Sequence, residues 1–483
     1  MNIWFDYILF RARAQPETPA IILEDRVVTY AMLREGIASC AQRLAGMNFD
    51  RGGVVSVMVN NPIRHLVLCF ALYRLGIVSL SLDHHQSGVR AIKVAAVLGD
   101  AEAQGLPDPT NRFIEVSDSW FAEAAAGGGS LPEVVWDSSQ IYRHGLTSGS
   151  TGQPKVIMHT AEDIAERIRT YSELNWNRAL CLFGLSSNFG FTAACAVLAT
   201  GRTLCFAPSP TQAVRMIELF SVDLVFASTE QMLTLTRAAR RLRTRLNSLR
   251  ILRVAGSVPS RALLESAMIH LCRNIICAYG ASEAGAIAQA PAGEVISNPG
   301  LVGYVLPGVE VGIFDPDGHP CPAGIVGSVR CRKKPDSTAR QAGESRWIDL
   351  GDVGRLDPDG RLFIFGRTAD LAGSQANYSP GVSPAYEIEH RVRLEWDLVD
   401  AASITVAAGA AGETPEIWIG LVQGTDITAE KVNALALANK IDWPVRLFEL
   451  HEIPRGSNGK VDRPRLKALM LASSSTAAKA PWN

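Results

Sequence analysis

The chain has 483 residues, of which 47% are hydrophobic and 20% are charged, and its formal net charge is −1. This composition excludes a disordered protein, and the balanced charge gives no reason to expect binding of nucleic acid or of an anionic membrane surface. The length exceeds what one ordinary hydrophobic core supports, so we expect two or more domains.

The N-terminal segment has apolar patches but carries Asp6 early and Arg11 and Arg13 late. That order of charges is wrong for a signal peptide, and the apolar run is too short to cross a bilayer. We interpret the segment as an amphipathic helix that ends near Pro16. Because no other segment reaches a spanning length without charges, we expect a cytoplasmic protein with no membrane span.

Strand and helix signals alternate through the first part of the chain. Apolar runs at Val54–Val59 and Ile77–Leu82 indicate strands, and the spacing of Pro62–Leu75 indicates a helix between them. The same rhythm continues, with apolar runs at Leu180–Leu185, Thr203–Phe206, Leu224–Ala227, Ile251–Val254 and Asn274–Cys277. This alternation predicts an α/β fold with largely parallel sheets.

The composition changes near residue 300. From Gly300 to Arg367 frequent turn signals separate short strands, which predicts a β-rich subdomain of hairpins. The stretch Ala372–Ser383 is typical of a linker or mobile loop. A smaller α+β unit follows, with a helix from Ser383 and strands at Ala401–Ala407 and Ile417–Val422. The tail after Ala472 is predicted to be disordered.

The nine cysteines form no CxxC pair. The nearest neighbours, Cys272 with Cys277 and Cys321 with Cys331, have the wrong spacing for a zinc site. We interpret the cysteines as buried thiols of a protein in a reducing compartment.

The most distinctive segment is the run Thr147-Ser148-Gly149-Ser150-Thr151-Gly152-Gln153-Pro154-Lys155. Its glycines let backbone N–H groups approach an anion, its hydroxyls add short donors, and Lys155 supplies a mobile positive charge that suits a polyphosphate. The run is not the common P-loop, because a proline precedes the lysine, so a kinase or GTPase is disfavoured. The alternative is a flexible surface loop, and we favour phosphate binding.

Other segments place polar groups among glycines and turns. In Tyr279-Gly280-Ala281-Ser282-Glu283, a ring, a hydroxyl and a carboxylate follow a predicted strand, and Glu283 could hold Mg²⁺ through oxygen. Asp352 lies between glycines and could accept hydrogen bonds from ribose hydroxyls. Arg367 precedes Asp370 at the change in composition, and Lys460 lies on a glycine-rich loop. Each segment alone is equally compatible with an exposed turn, a surface pair or a basic loop.

In this order, the five segments resemble the adenylate-forming superfamily, which includes acyl-CoA synthetases, adenylation domains of peptide synthetases and firefly-type luciferases. The resemblance covers almost the whole chain, and the run Gly256-Ser257-Val258-Pro259 is similar to the family's adenine-side loop. It implies a large N-terminal AMP-binding domain at residues 1–369, with the β-rich subdomain at 300–369. A small mobile C-terminal domain at residues 370–472 would follow a hinge at Asp370, and residues 473–483 would form the tail.

The resemblance also implies roles in binding ATP. The loop Thr147–Gly152 with Lys155 would close over the β- and γ-phosphates. Ser282 would touch phosphate, and Glu283 would bind Mg²⁺ and take part in catalysis. Lys460 would be the catalytic lysine of adenylation.

The adenosine would be held by a second set of residues. Tyr279, followed by Gly280, would stack on adenine beside Gly256–Pro259, and Asp352 and Arg367 would take the ribose hydroxyls. A carboxylate would then attack the α-phosphate, and pyrophosphate would leave an acyl-adenylate for transfer to a thiol. The implied co-substrate is CoA or a phosphopantetheine carrier.

The sequence departs from the family's pattern after Lys155, where Val156 replaces the usual glycine, and again after Arg367. Ala372-Gly373 stands at the position of a lysine, and extra residues precede Glu387, with Pro384 one position too far from it. In thioester-forming relatives this loop joins the active site in the second half-reaction. We therefore expect adenylation to be intact and leave thioester formation open.

The segment Leu185–Gly190 bears on the acid. It lacks the aspartate that α-amino acid domains place there and the histidine of many aryl and acyl ligases. An ammonium buried without a partner would be costly, so an α-amino acid is disfavoured. We predict that Asn188 and Phe189 line an acyl pocket for an aryl or short acyl acid, with core packing as the alternative.

Three functions are therefore compatible with the sequence. The leading hypothesis is an ATP-dependent acid–thiol ligase that forms acyl-CoA. The runner-up loads a carboxylic acid onto an acyl carrier protein, and a third candidate is a degenerate nucleotide-binding protein. Retention of Lys460, Glu283 and Asp352 argues against the third. Nothing supports an oxidative, luciferase-like second step.

Overall fold

The structure is a computed structural model that describes residues 4–83, 92–103, 112–126, 139–148, 154–172, 175–333, 346–367, 384–396, 401–406, 415–422, 426–454 and 461–477. The chain divides into two compact units. The first comprises Met1–Ser228, Leu246–Val254 and Gly280–Ile287, and the second comprises Thr229–Arg245, Ala255–Tyr279 and Ala288–Asn483.

The helices of these ranges are α1 Trp4–Ala14, α2 Tyr30–Ala45, α3 Pro62–Arg74, α4 Asp118–Ala126, α5 Ala161–Ser172, α6 Asn188–Ala199, α7 Pro210–Leu219, α8 Thr229–Leu242, α9 Arg261–His270, α10 Ala292–Ser297, α11 Pro384–Glu395, α12 Ala429–Ala438 and α13 Arg463–Ala477. None of them combines the length and the hydropathy needed to cross a membrane.

The strands are β1 Pro19–Ile22, β2 Val27–Thr29, β3 Val54–Met58, β4 Val78–Ser81, β5 Ala96–Gly99, β6 Phe113–Glu115, β7 Ile141–Ser148, β8 Pro154–Thr160, β9 Arg178–Cys181, β10 Thr203–Cys205, β11 Leu224–Ser228, β12 Ile251–Ala255, β13 Ile275–Ala281, β14 Gly285–Pro291, β15 Leu301–Val305, β16 Val309–Phe314, β17 Gly327–Lys333, β18 Ile348–Leu356, β19 Arg361–Arg367, β20 Ala401–Val406, β21 Glu416–Val422 and β22 Val445–Leu450.

In the first unit, one sheet has the order β6-β5-β3-β4-β7-β8 and is parallel except for the β7–β8 hairpin. A second set of strands has the order β11-β9-β10-β1-β2, and only β1–β2 is antiparallel. Helix α3 connects β3 to β4 and α6 connects β9 to β10, as parallel neighbours require a crossover connection, and α7 connects β10 to β11. The predicted α/β class with largely parallel sheets is therefore confirmed.

In the second unit, β16-β17-β18-β19-β15-β14 form an antiparallel arrangement that corresponds to the predicted β-rich region. Near the C-terminus, β20, β21 and β22 form a small sheet, antiparallel between β20 and β21 and parallel between β21 and β22. Helices α11 and α12 pack on it through apolar side chains such as Ile388 and Val432.

Local sequence explains most element boundaries. Helix α3 begins at Pro62, where the side chain of Asn61 accepts hydrogen bonds from the N–H groups of Ile63 and Arg64 and so caps the helix. The predicted strands at 54–59 and 77–82 and the helix at 62–75 match β3, β4 and α3.

Three boundaries correct the sequence prediction. Strand β9 ends at Cys181, because residues after it form a turn in which Ser187 N–H donates to the carbonyl of Gly184. Strand β13 continues to Ala281, so Tyr279 lies within it. Helix α13 extends to Ala477, whereas the disordered tail was predicted to begin after Ala472. The predicted linker Ala372–Ser383 and the hinge at Asp370 lie outside the described residues.

All nine cysteines fall in described ranges and are free thiols. Eight are buried and Cys321 is partly exposed. This agrees with the interpretation of the cysteines as packing residues.

Candidate functional site

The ends of the predicted anion loop form a β-hairpin in the first unit. Strands β7 and β8 pair Thr147 with Lys155 and Ser148 with Pro154. Lys155 is therefore the second residue of strand β8, which forms because the residues after it (Val-Ile-Met-His-Thr) are mostly apolar or β-branched. The glycine-rich residues Gly149, Ser150, Thr151 and Gly152 lie outside the described residues, so their role stays a prediction.

Lys155 is close to the predicted metal-binding carboxylate. Its Nζ lies 3.5 Å from Glu283 Oε1, and the two side chains are 65% and 30% exposed. An ion pair this exposed contributes only about 0–1 kcal/mol to stability. Breaking this ion pair to bind another group therefore costs little free energy. The carboxylate of Glu283 also offers oxygen, the donor atom that Mg²⁺ prefers.

A tight turn positions Glu283. Ser282 and Glu283 lie between β13 and β14, and the N–H of Ala284 donates to the carbonyl of Ala281 at 3.2 Å. A side chain at Gly280 would collide with the backbone of Gly285, so glycine is required for the close approach of these two strand ends. The sequence Tyr-Gly-Ala-Ser-Glu thus encodes a compact hairpin that ends in a hydroxyl and a carboxylate.

In the second unit, two residues assigned to the nucleoside are bonded to each other. The Tyr279 hydroxyl donates to Asp352 Oδ2 at 2.5 Å, and Asp352 is only 6% exposed. Asp352 lies in strand β18, directly opposite Arg367 in β19. It is therefore part of a strand and not of the turn that the sequence indicated. A charge-assisted bond of this length fixes the orientation of the carboxylate.

The run Gly256–Pro259 leads from β12 to α9. Gly256 has φ +102°, a conformation that favours glycine. The hydroxyl of Thr229, the first residue of α8, donates to the carbonyl of Ser257 at 2.6 Å. Ser260 then caps α9 by accepting from the N–H of Leu263. Both helices therefore hold this loop.

The two predicted acyl-pocket residues begin helix α6 in the first unit. Asn188 is buried, and within the described part of the chain neither atom of its amide has a hydrogen-bond partner. The amide lies against Gly145, where a side chain would collide with it. The ring of Phe189 contacts that of Phe183, with the centroids 4.5 Å apart and the planes tilted by 45°. Leaving a buried amide unsatisfied costs about 1–3 kcal/mol, so packing alone does not explain Asn188.

Sequence reasoning missed a buried cation beside this helix. Arg143 is fully buried, donates to Ser81 Oγ at 2.7 Å and to the carbonyl of Leu185 at 2.9 Å, and lies 3.9 Å from the ring centroid of Phe191. No carboxylate of the described residues pairs with it, and burial lowers its pKa. The neighbours of Arg143 in strand β7 include His144 and Thr147, so the local sequence gave no signal that this arginine is buried.

His65 completes this buried cluster. Its Nδ1 lies 3.2 Å from the carbonyl of Val59, so that nitrogen is the donor, and Nε2 lies 2.8 Å from Ser81 Oγ. Ser81 can donate to His65 while it accepts from Arg143, which gives a consistent network with a neutral imidazole. Burial, with a smaller contribution from Arg143, lowers the pKa of His65 to about 4.

The predicted catalytic lysine, Lys460, lies outside the described residues. The backbone that flanks its loop is described: the N–H of Asp462 donates to the carbonyl of Pro454 at 2.8 Å. The two ends of that loop are therefore joined.

The sequence of this chain is similar to those of known AMP-binding enzymes. The sequence profile of the family described as AMP-binding enzyme matches residues 10–339. 4-Coumarate–CoA ligase 2 of Oryza sativa subsp. japonica is 26% identical and is aligned over 97% of this chain and 92% of its own length. 2-Succinylbenzoate–CoA ligase of Bacillus pumilus (strain SAFR-032) is 27% identical over 96% of this chain and 97% of its own. Fatty acid–[acyl-carrier-protein] ligase ScoC of Streptomyces coeruleorubidus is 25% identical over 95% and 94%.

Among solved structures, the anthranilate CoA ligase AuaEII in complex with anthranoyl-AMP superposes with a TM-score of 0.82 over 98% of both chains, at 18% identity. That likeness confirms the fold. The family profile covers most of the chain and confirms the resemblance found in the sequence. The chain belongs to the AMP-binding enzyme family.

Proposed function

We propose that the protein activates a carboxylic acid with ATP as an acyl-adenylate and releases pyrophosphate. The acyl group then passes to the sulfur of CoA, which loses its thiol proton, and AMP leaves. The observation that carries the proposal is the segment Tyr279–Glu283. Its tyrosine is bonded to Asp352, and its glutamate is paired with Lys155. One short stretch of chain thus carries a group suited to a nucleoside and a group suited to a polyphosphate.

Adenylation requires that the proposed site residues bring two anions together and stabilise the leaving pyrophosphate. The acid's carboxylate oxygen forms a bond to the α-phosphorus, and the bond from that phosphorus to the pyrophosphate oxygen breaks. Lys155 offsets the charge of the polyphosphate, and Lys460 bridges the two anions as charge develops. Glu283 would hold Mg²⁺, which supplies further screening of the leaving group. Asp352 and Arg367 orient the ribose, and Tyr279 lies beside the base.

The proposed acceptor rests on the relatives, which include CoA ligases for 4-coumarate and for 2-succinylbenzoate. Loading of an acyl carrier protein is the alternative, supported by the similarity to ScoC. For the acid, we propose an aryl or short acyl compound and not an α-amino acid. The segment Leu185–Gly190 offers no acidic side chain for an ammonium group.

We also propose the two-domain organisation implied by the sequence, with a hinge at Asp370. The departures around Gly373 bear on the thioester step and not on adenylation. A degenerate nucleotide-binding protein remains the second alternative, and it predicts ATP binding without turnover.

Pyrophosphate exchange across a panel of aryl and short acyl acids tests the first step. We expect exchange with at least one acid, and no exchange with any acid would overturn the enzyme assignment. Lys460→Ala should abolish exchange while ATP binding persists. Exchange near the wild-type rate in that variant would show that the lysine is assigned wrongly.

The acceptor needs a second assay with the productive acid. Thioester formation with CoA supports the leading proposal, and formation only with a holo carrier protein supports the alternative. Gly373→Lys restores the residue type that relatives carry. Faster thioester formation at an unchanged exchange rate would mean that this departure limits the second step, and no change would mean that it is harmless.

A further inference from the structure

Helix α11 contacts both helices that hold the predicted adenine loop. All the residues involved belong to the second unit. At its C-terminal end, Arg393 donates to both carboxylate oxygens of Glu230 in α8, at 2.5 and 2.7 Å. The Arg393 side chain is only 1% exposed, and Arg240 of α8 donates to the carbonyl of Leu394 at 2.8 Å. Two parallel hydrogen bonds from a buried guanidinium fix the geometry of this pair more narrowly than one contact between exposed side chains does.

Near the start of α11, Glu387 caps α9. One carboxylate oxygen accepts from the N–H of Arg261 at 2.9 Å, and the other accepts from the N–H of Ala262 at 3.2 Å. These N–H groups have no partner within α9, and a negative charge at a helix N-terminus is favourable. One turn further along α11, His390 Nδ1 lies 2.8 Å from Ser260 Oγ. The cap of α9 is therefore shared between its own serine and the distant helix.

The loop Gly256–Pro259 lies between these two attachment points. Its Ser257 carbonyl accepts from Thr229, which immediately precedes Glu230. Its last residue, Pro259, immediately precedes Ser260, which His390 contacts. A shift of α8 or α9 would therefore move one end of the loop relative to the other. Helix α11 holds α8 through Arg393 and α9 through Glu387, so it fixes their separation.

We propose that Glu387 and Arg393 are positioning residues for the nucleotide. While the C-terminal region, which we propose moves about Asp370, makes the contacts described above, α11 sets the geometry of the loop Gly256–Pro259. The inference rests on the proposed function, because it takes that loop to lie beside the base of ATP. It adds that residues distant in sequence, and without contact to the nucleotide, determine its affinity. Because the loop Gly256–Pro259 is assigned to the base of ATP and not to the acid, we expect a larger effect on the affinity for ATP than on the affinity for the acid.

The test compares Glu387→Gln and Arg393→Met with the wild type in the full-length protein. ATP binding is measured by calorimetry, and the KM values for ATP and for the acid are measured by pyrophosphate exchange. We expect the Kd and KM for ATP to rise about tenfold in each variant, as loss of a charge-assisted hydrogen bond predicts, with the KM for the acid changed less than about twofold. Arg393→Lys should recover part of the loss.

Glu416→Gln is the matched control, because Glu416 forms an exposed ion pair with Arg446 elsewhere in the same unit. It should leave both KM values unchanged. An unchanged KM for ATP in Glu387→Gln and Arg393→Met would overturn the inference, as would a parallel rise of both KM values.

The isosteric Glu387→Gln keeps the test decisive if Arg393→Met fails to fold. A wild-type protein that binds no ATP would overturn the proposed function itself, and this inference with it. That outcome is distinguishable, because it is read before any variant is made.

Discussion

The hydroxyl of Tyr279 donates a 2.5 Å hydrogen bond to the buried carboxylate of Asp352, although 73 positions separate the two residues. The bond joins strand β13 to strand β18 within the second unit. It holds the carboxylate in one orientation before any ligand binds. A preorganised acceptor of this kind lowers the cost of binding a ribose hydroxyl.

Tyr279→Phe removes this donor and leaves the ring in place. We expect ATP to bind about tenfold more weakly and the free energy of unfolding to fall by about 1–2 kcal/mol, because Asp352 loses a charge-assisted bond inside the protein. Calorimetry with ATP and urea unfolding measure the two effects. Tyr7→Phe, at an exposed position of α1, is the control. Unchanged ATP affinity in Tyr279→Phe would contradict the assigned role of Asp352.

Glu283→Gln and Lys155→Gln should separate activity from stability. The ion pair between these residues is largely exposed, so its loss should change the free energy of unfolding by less than about 0.5 kcal/mol. We expect pyrophosphate exchange to fall about 100-fold in each variant, since Lys155 is proposed to offset the charge of the polyphosphate and Glu283 is proposed to hold Mg²⁺. Thermal unfolding and exchange assays on the same preparations check this. A drop in stability that matches the drop in rate would indicate a structural pair instead.

Asn188→Leu and Thr192→Val should change stability in opposite directions. Asn188 buries an amide with no partner among the described residues, whereas Thr192 donates to the carbonyl of Asn188 at 2.7 Å. We expect Asn188→Leu to raise the free energy of unfolding by about 1 kcal/mol and Thr192→Val to lower it by a similar amount. If the amide contacts the acid, Asn188→Leu also raises the KM for the acid. Destabilisation by Asn188→Leu would show that the amide is satisfied in solution.

We expect the free energy of unfolding to fall in mild acid because of the buried side chain of His65. Its pKa is lowered to about 4 in the folded protein, mainly by burial, against an unfolded value of about 6.5. Between these values the unfolded state binds more protons, so stability is full above about pH 6.5 and falls as the pH drops towards 4. The loss attributable to this residue approaches about 3 kcal/mol.

Urea unfolding at about pH 7.5 and about pH 5 measures this dependence. His65→Gln should weaken it, and His319→Gln, whose side chain is 77% exposed, should not. An identical pH dependence in wild type and His65→Gln would contradict the buried neutral state.

Local patterns were sufficient to predict much of the fold. The apolar runs at Val54–Val59 and Leu224–Ala227 indicated strands because parallel strands are covered on both faces. The Asn61-Pro62 step carried its own start signal for α3. Lys155 was assigned to the anion loop, but its place in strand β8 was not foreseen.

The contacts that assemble the candidate site could not be predicted in this way. Neither the bond from Tyr279 to Asp352 nor the cap that Glu387 places on α9 has a local sequence signature, because each depends on how distant elements pack. The burial of Arg143 was not predictable either, because its partners are a hydroxyl of β4 and a backbone carbonyl before α6. Such partners are chosen by tertiary structure alone.

The burial of the cysteines limits acylation of the protein's own thiols by its reactive intermediate. An acyl-adenylate is an electrophile that an accessible thiolate attacks readily. Burial raises the pKa of Cys40, Cys181, Cys205 and Cys277 to about 12, which keeps these thiols protonated at neutral pH. Internal thiols therefore do not compete with the external acceptor for the activated acid. Cys321 is the partly exposed exception, so self-acylation or a thiol-directed label would modify that position first.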